Sequence, residues 1–268
     1  METLSINGLD LQIVDEGNSE VPLFLVHGYT GGASDWDDVA PALAQSRRVI
    51  RYSHRGHAQS TNTGDPKTYT FDALVNDLGA VVDHFGFDQI DLLGHSMGGV
   101  VAMRYVLDHP AKARSLVLMD TGAAPAGSLP IDLIDGLAER GRNEGMQIVV
   151  DVMAPFIGAL QERLAPERRD ELARRYAAKM PFMDPDAFAQ FARELNEYPS
   201  MVGKLHTIMC PTTVIVGEND AGLREASEVM AKEIPGAELV VIADAGHSPQ
   251  EDHPDEWLRV VEHHLSRV

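Results

Sequence analysis

The chain has 268 residues, with 22 Lys and Arg against 41 Asp and Glu, a net charge of −19, and 44% hydrophobic residues. That length and mix fit one large α/β domain with room for an inserted subdomain. So acidic a surface repels nucleic acid and anionic lipid, so neither nucleic acid nor a membrane is expected as a partner. The single cysteine, Cys210, excludes an intrachain disulfide. The first residues lack the basic start and apolar run of a signal peptide, and no apolar run approaches the roughly 20 residues of a membrane helix. The cytoplasm is the expected compartment.

In chain order, Leu4–Ile6 and Leu9–Val14 alternate apolar and polar residues around Asn7-Gly8, which predicts a hairpin. Val21–Val26 is nearly continuous in apolar residues, as in a parallel strand buried on both faces. Ser34 is placed to cap a helix running to about Ala44, and Arg48–Tyr52 reads as a strand. Phe71–Phe85 carries apolar residues at helical spacing, with Gly86 as its stop. Strand Gln89–Leu93, helix Met97–Leu107 closed by Pro110, and strand Ser115–Met119 follow. From about Gly122 to His206 the rhythm breaks into short helices punctuated by prolines, with Ile148–Val150 open to either helix or strand. Strand Thr212–Val216, helix Leu223–Lys232, strand Glu238–Ile242 and a helix near Asp255–Leu265 restore it. Strand and helix in alternation imply a mostly parallel sheet with helices on both faces. The expected organisation is a core of residues 1–121 and 207–268 interrupted by a helical cap of residues 122–206.

Gly94-His95-Ser96-Met97-Gly98 matches G-x-S-x-G between a predicted strand and a predicted helix, the context that makes Ser96 a candidate nucleophile. A sharp strand-to-helix turn needs small neighbours two residues either side, which Gly94 and Gly98 supply. A serine hydroxyl needs a base. Of 11 histidines, His247 is singled out by its place just after strand Glu238–Ile242. The base needs an orienting carboxylate. Asp220, directly after strand Thr212–Val216, is the expected acid, and Asp120, at the end of strand Ser115–Met119, is its competitor. No H-E-x-x-H, cysteine pair, P-loop or G-x-G-x-x-G is present, so no metal and no cofactor are expected.

With these residues assembled, the chain resembles the α/β-hydrolase superfamily over nearly its whole length. The order Ser96, Asp220, His247 is that of the fold. His27-Gly28-Tyr29-Thr30-Gly31-Gly32 is similar to the family's oxyanion loop. Ser53–Ser60 resembles its D-x-R-G-x-G-x-S segment, with Ser53 replacing Asp and Ala58 replacing Gly. The resemblance implies an eight-stranded sheet and an oxyanion hole formed by the backbone N–H groups of Tyr29 and Met97. It implies a serine hydrolase of carboxylesterase type, acting on a small, largely apolar ester-like substrate through an acyl-enzyme. Lactonase and carbon–carbon hydrolase activities are the alternatives on the same residues, and a slow-turnover ligand receptor is the non-enzymatic one. In the cap, Met146, Met153, Phe156, Met180, Phe182, Met183, Phe188, Phe191 and Met201 are candidates for an apolar pocket, although packing of cap on core explains most of them more simply. The cap arginines read as a solvated helix face.

Overall fold

The structure is a computed structural model that describes residues 2–126 and 129–268, with residues 157–160 described by their backbone alone. Strands β1 (Glu2–Ile6) and β2 (Leu9–Glu16) form the expected hairpin, with Asn7 at φ 51° and Gly8 at φ 78° supplying the two positive-φ residues of a tight turn. β3 (Leu23–Val26) follows, then a 3-10 turn over Ala33–Trp36 and the short helix α1 (Ala40–Leu43). The continuous helix expected from Ser34 to Ala44 is therefore broken. Pro41 has no N–H to give and is tolerated only in a first turn, so the helix restarts at Ala40.

β4 (Val49–Tyr52), α2 (Phe71–Phe85), β5 (Ile90–His95), α3 (Met97–Asp108) and β6 (Ala113–Met119) alternate as expected. Thr70 caps α2 by accepting the Ala73 N–H, and Gly86 ends it at φ 69°. Among the described residues between β6 and β7 lie the α-helices α4 (Ile131–Glu144), α5 (Gln147–Leu160), α6 (Pro166–Lys179) and α7 (Pro185–Glu197). Ile148–Val150 thus belongs to a helix. β7 (Thr212–Gly217), α8 (Ala221–Glu233), β8 (Glu238–Ile242), α9 (Pro249–Asp252) and α10 (Pro254–Leu265) complete the chain.

The eight strands form one sheet in the order β1-β2-β4-β3-β5-β6-β7-β8, antiparallel at β1–β2–β4 and parallel from β4 to β8. Alternate residues feed two cores. Phe24, Val26, Ile50, Leu92, Leu116, Leu118 and Val214 pack with α2 and α3, while Leu23, Leu25, Val49, Leu93, Val117 and Ile215 pack with Trp36 and Trp257. This double burial is why β3 reads as an unbroken apolar run; β5 breaks the rule at Asp91, which is buried and paired with Arg114. Among the described residues, no helix is long and apolar enough to cross a membrane.

Candidate active site

The C-terminal ends of four parallel strands are laced together. Ser96 N–H donates to Met119 O, Asp120 N–H to Ile215 O and Glu218 N–H to Ile242 O, each at 2.9 Å; Asn219 N–H donates to Ala245 O at 2.8 Å. The loops after β5, β6, β7 and β8 therefore emerge side by side, at the sheet edge where α/β folds place their ligands.

Ser96 sits between β5 and α3 at φ 53°, ψ −120°, a backbone state that a residue with a side chain rarely adopts. The elbow is held by close backbone approach: a Cβ on Gly94 would stand 2.4 Å from Gly98 O, and one on Gly98 would stand 2.3 Å from Val26 O. Thr121 adds a restraint by donating its hydroxyl to Ser96 O at 2.7 Å.

The Ser96 hydroxyl lies 3.0 Å from His247 Nε2, and His247 Nδ1 donates to Asp220 Oδ2 at 2.7 Å. Of the two candidate carboxylates, Asp220 is thus the one bonded to the histidine. Burial pushes Asp220 upward, but the hydrogen bond and charge of His247 outweigh it and hold the carboxyl below the ordinary aspartate range. Asp120 instead turns Oδ1 to Gly217 N–H at 2.9 Å.

The loop over Ser96 is fixed by its own histidine. His27 Nδ1 donates to Gly28 O at 2.7 Å, and His27 Nε2 accepts the His54 N–H at 2.9 Å. A Cβ on Gly28 would lie 3.1 Å from Ser96 Cβ, so the backbone of this loop lies directly against the serine. Tyr29 follows on that loop, and Met97 is the first residue of α3, where an N–H has no partner within its own helix. The Tyr29 ring stacks on Phe188 at 5.6 Å and its hydroxyl donates to Phe188 O at 2.6 Å, so the side chain ties the loop to α7. Ser53, standing for the expected Asp, accepts the Ala33 N–H at 3.0 Å and donates to Gln12 at 2.9 Å. Ala58 holds φ 47°, the conformation that glycine would adopt freely.

Two cavities meet at Ser96, Tyr29 and His247. One, of about 470 Å³, is lined by Val100, Thr121, Leu129, Leu195, Tyr198 and Leu223 among others. The other, of about 350 Å³, is bounded by Arg163, Arg175, Lys179, Asp35, Glu251 and Asp252 together with Leu172 and Tyr176. Each of these cations has a carboxylate partner: Arg163 with Asp252 at 2.5 Å, Arg175 with Asp38 at 2.7 Å, and Lys179 with Asp35. Burial drives Glu251 up to about 7, with the charge of Asp35 adding to it.

Several residues escaped sequence reasoning. None of the nine Met and Phe candidates lines either cavity: Met146, Met180, Met183, Phe188, Phe191 and Met201 are packed in the core, Met153 is half-buried against it, and Phe156 and Phe182 are exposed. The helical lining comes instead from Leu129, Leu172, Tyr176, Leu195 and Tyr198, ordinary amphipathic positions with no signal of their own. Arg168 and Arg175 are not a solvated face, since both pair with Asp38 beside α1 and so bind α6 to the sheet unit. His95, the variable residue of the serine motif, donates from Nε2 to His247 O at 2.6 Å and steadies the histidine loop. Burial, with the charge of His247 adding to it, drives His95 down to about 3 and keeps it neutral for that task. Among the described residues, Asp120, Asp220 and His247 are the one trio of possible metal ligands, with atoms within 4.8 Å of one another. Both ring nitrogens of His247 are already committed, to Ser96 and to Asp220, which suits proton transfer better than metal ligation.

A family model described as alpha/beta hydrolase fold matches residues 21–254. The chain is similar to the 2-hydroxy-6-oxononadienedioate/2-hydroxy-6-oxononatrienedioate hydrolase 2 of Pseudomonas putida, at 28% identity over 274 residues covering 94% of this chain and 91% of that one. It is similar to a proline iminopeptidase of Pestalotiopsis fici, at 28% identity over 286 residues and the full length of both. Among solved structures, a thermophilic esterase from Thermogutta terrifontis, studied with malate bound, superposes with a TM-score of 0.85 at 30% identity, covering 100% of this chain and 99% of that one. With its matching sheet, loops and length, the chain belongs to the α/β-hydrolase fold family and is a hydrolase.

Proposed function

We propose that this hydrolase cleaves a carboxylic ester of a small, largely apolar substrate through an acyl-enzyme on Ser96. One observation carries the reading: the hydrogen-bonded line Ser96–His247–Asp220, at 3.0 and 2.7 Å, stands at the mouth of an apolar cavity of about 470 Å³. His247 takes the Ser96 proton as the oxygen attacks the ester carbonyl, and Asp220 holds the imidazole in the required tautomer and stabilises its charge. The N–H groups of Tyr29 and Met97 receive the oxyanion; a donor so placed is worth about 10²–10³ in rate. His247 returns the proton to the leaving alcohol and then activates the water that releases the acid. Residues 122–206 act in this reading as a cap on the core of residues 1–121 and 207–268.

The second cavity bears on the choice between an ester and a carbon–carbon bond. The Pseudomonas putida relative is named for a dioate, whose two negative charges call for cationic partners. In this chain Arg163, Arg175 and Lys179 are each paired with a carboxylate, which favours an uncharged substrate. An ester or a lactone meets that requirement. The thermophilic esterase at 30% identity supports the ester.

The test is hydrolysis of p-nitrophenyl esters of increasing acyl length by the protein and by Ser96→Ala. The expected result is a clear length optimum in the parent and a loss of at least about 10³-fold in the variant. Equal activity in both proteins refutes the nucleophile. Stoichiometric acylation without turnover would convert the reading to that of a ligand receptor.

A further inference from the structure

The proposed relay leaves one carboxyl group at its centre without a part. Asp120 follows β6 with φ 44° and is wholly buried. Its Oδ1 accepts the Gly217 N–H at 2.9 Å. Its Oδ2, equally buried, meets no donor among the described residues. An ionised carboxylate here would hold a full charge at a buried position on a single hydrogen bond among the described residues. It would do so beside a second carboxylate, because one polar atom from each of Asp120, Asp220 and His247 lies within 4.8 Å of the other two. The groups around it do not favour a charge. Asp220 reaches it from the loop after β7, and Asp252, on α9, adds a more distant negative charge while paired with Arg163 and Gly246 N–H. His247, from the loop after β8, is spent on Asp220 and Ser96.

Two carboxyls so close share one proton, because both cannot ionise without strong repulsion. Asp220 has the histidine to stabilise its charge; Asp120 has only an amide. We infer that Asp120 carries a proton at neutral pH and donates it from Oδ2 to Asp220, as a positioning residue that orients the acid of the relay. The inference rests on the Ser96–His247–Asp220 reading for its catalytic consequence, though not for the location of the proton. Burial first, and then the neighbouring negative charge of Asp220, push the Asp120 carboxyl well above the ordinary aspartate range. On Asp220, burial acts upward, and the hydrogen bond with His247 leads the influences that overcome it.

A neutral donor suits this place. It fixes the rotation of the Asp220 carboxylate, so that Oδ2 stays aimed at His247, and it adds no second negative charge that would over-stabilise the protonated base. Asparagine reproduces the geometry, with a carbonyl for Gly217 N–H and an amide N–H for Asp220, and it tolerates the left-handed backbone. Glycine removes the side chain without strain at φ 44°.

The test joins a spectroscopic and a kinetic measurement. In protein with ¹³C-labelled aspartate carboxyls, one carboxyl resonance is expected to remain protonated at neutral pH, to vanish in Asp120→Asn and to titrate at lower pH in Asp220→Asn. In ester hydrolysis, Asp120→Gly is expected to lower kcat about tenfold with little change in KM, the loss of one hydrogen bond to a charged group. Asp120→Asn is expected to recover most of that loss with the acid limb of its pH–rate profile in place. Absence of a protonated aspartate carboxyl in the parent overturns the inference. So does an acid limb in Asp120→Asn displaced to lower pH by about one unit, the mark of a removed negative charge, and so does a parental kcat in Asp120→Gly. Full activity in Ser96→Ala would instead refute the relay, while the carboxyl resonance would still decide where the proton resides.

Discussion

Mild acid should unfold this protein, because its interior stores neutral histidines. His27, His54, His57, His95 and His264 are all nearly or fully buried. Burial is the leading cause that lowers each one, to about 4 for His57 and His264 and about 3 for His95, with His27 and His54 also well below the reference of 6.5. A histidine depressed in the folded state is protonated first in the unfolded chain. Its contribution to stability is therefore complete above about pH 6.5 and declines as the pH falls toward the folded value. Asp120 and Glu251 act in the opposite sense, since both are raised and hold protons in the folded state. One unit below 6.5, five unfolded histidines are about nine-tenths protonated, and the two carboxyls offset about two of those protons. At about 1.4 kcal/mol per proton per pH unit, stability falls by about 2 kcal/mol from pH 6.5 to about 5.5 and by about 4 kcal/mol over the next unit. That sum rivals the whole stability of an ordinary domain, about 5–15 kcal/mol. Relief of the net charge of −19 works the other way, and moderate salt keeps that term small. Asp38, held low by Arg175 and Arg168, and Asp220, held low by its hydrogen bond with His247, each against the upward push of burial, lose their contribution only in stronger acid. The assay is urea unfolding followed by tryptophan fluorescence at a series of pH values. A midpoint unchanged between about pH 7 and pH 5 would refute the reasoning, since it would mean that the buried histidines accept protons without cost.

Other outcomes follow from the same contacts. Gly98→Ala places a Cβ 2.3 Å from Val26 O and 2.5 Å from His27 O, so it should open the elbow at Ser96 and cut kcat/KM by about 10² or more, with lowered thermal stability. Asp220→Asn should leave the fold intact and cost about 10⁴ in kcat through the wrong histidine tautomer; a loss below tenfold would point to another acid. Leu223→Trp narrows the apolar cavity and should move the acyl-length optimum to shorter esters, while an unmoved optimum would place the acyl chain elsewhere. Phe191→Ala, at a fully buried ring packed on Tyr69, Phe71 and His57, should destabilise by about 3–5 kcal/mol in urea unfolding.

The sequence by itself determined the sheet and its order of chemistry. A strand buried on both faces is mostly apolar, and Leu23–Val26 announced itself as an unbroken run for that reason, whereas Ile90–Leu93 carries the buried Asp91 and Thr212–Val216 opens on two threonines, so their place in the strand–helix alternation identified them. The serine turn was equally legible, because Gly94 and Gly98 answer a steric demand that acts over a few residues. Local rules failed where a proline or a partner far along the chain decided the outcome. Pro41 split the helix expected from Ser34, and Arg168 and Arg175, read as part of a solvated face, found Asp38. The sequence put Asp220 ahead of Asp120 as the acid, but the geometry that separates them belongs to the tertiary structure. Both end strands at the same sheet edge, and only the packing of the loops after β7 and β8 sets one carboxyl 2.7 Å from His247 and turns the other to Gly217. The cavity walls were the least legible of all. Leu129, Leu195 and Tyr198 follow the same amphipathic spacing as core residues, and whether such a side chain meets a neighbour or a void depends on how helices from distant parts of the chain come to rest.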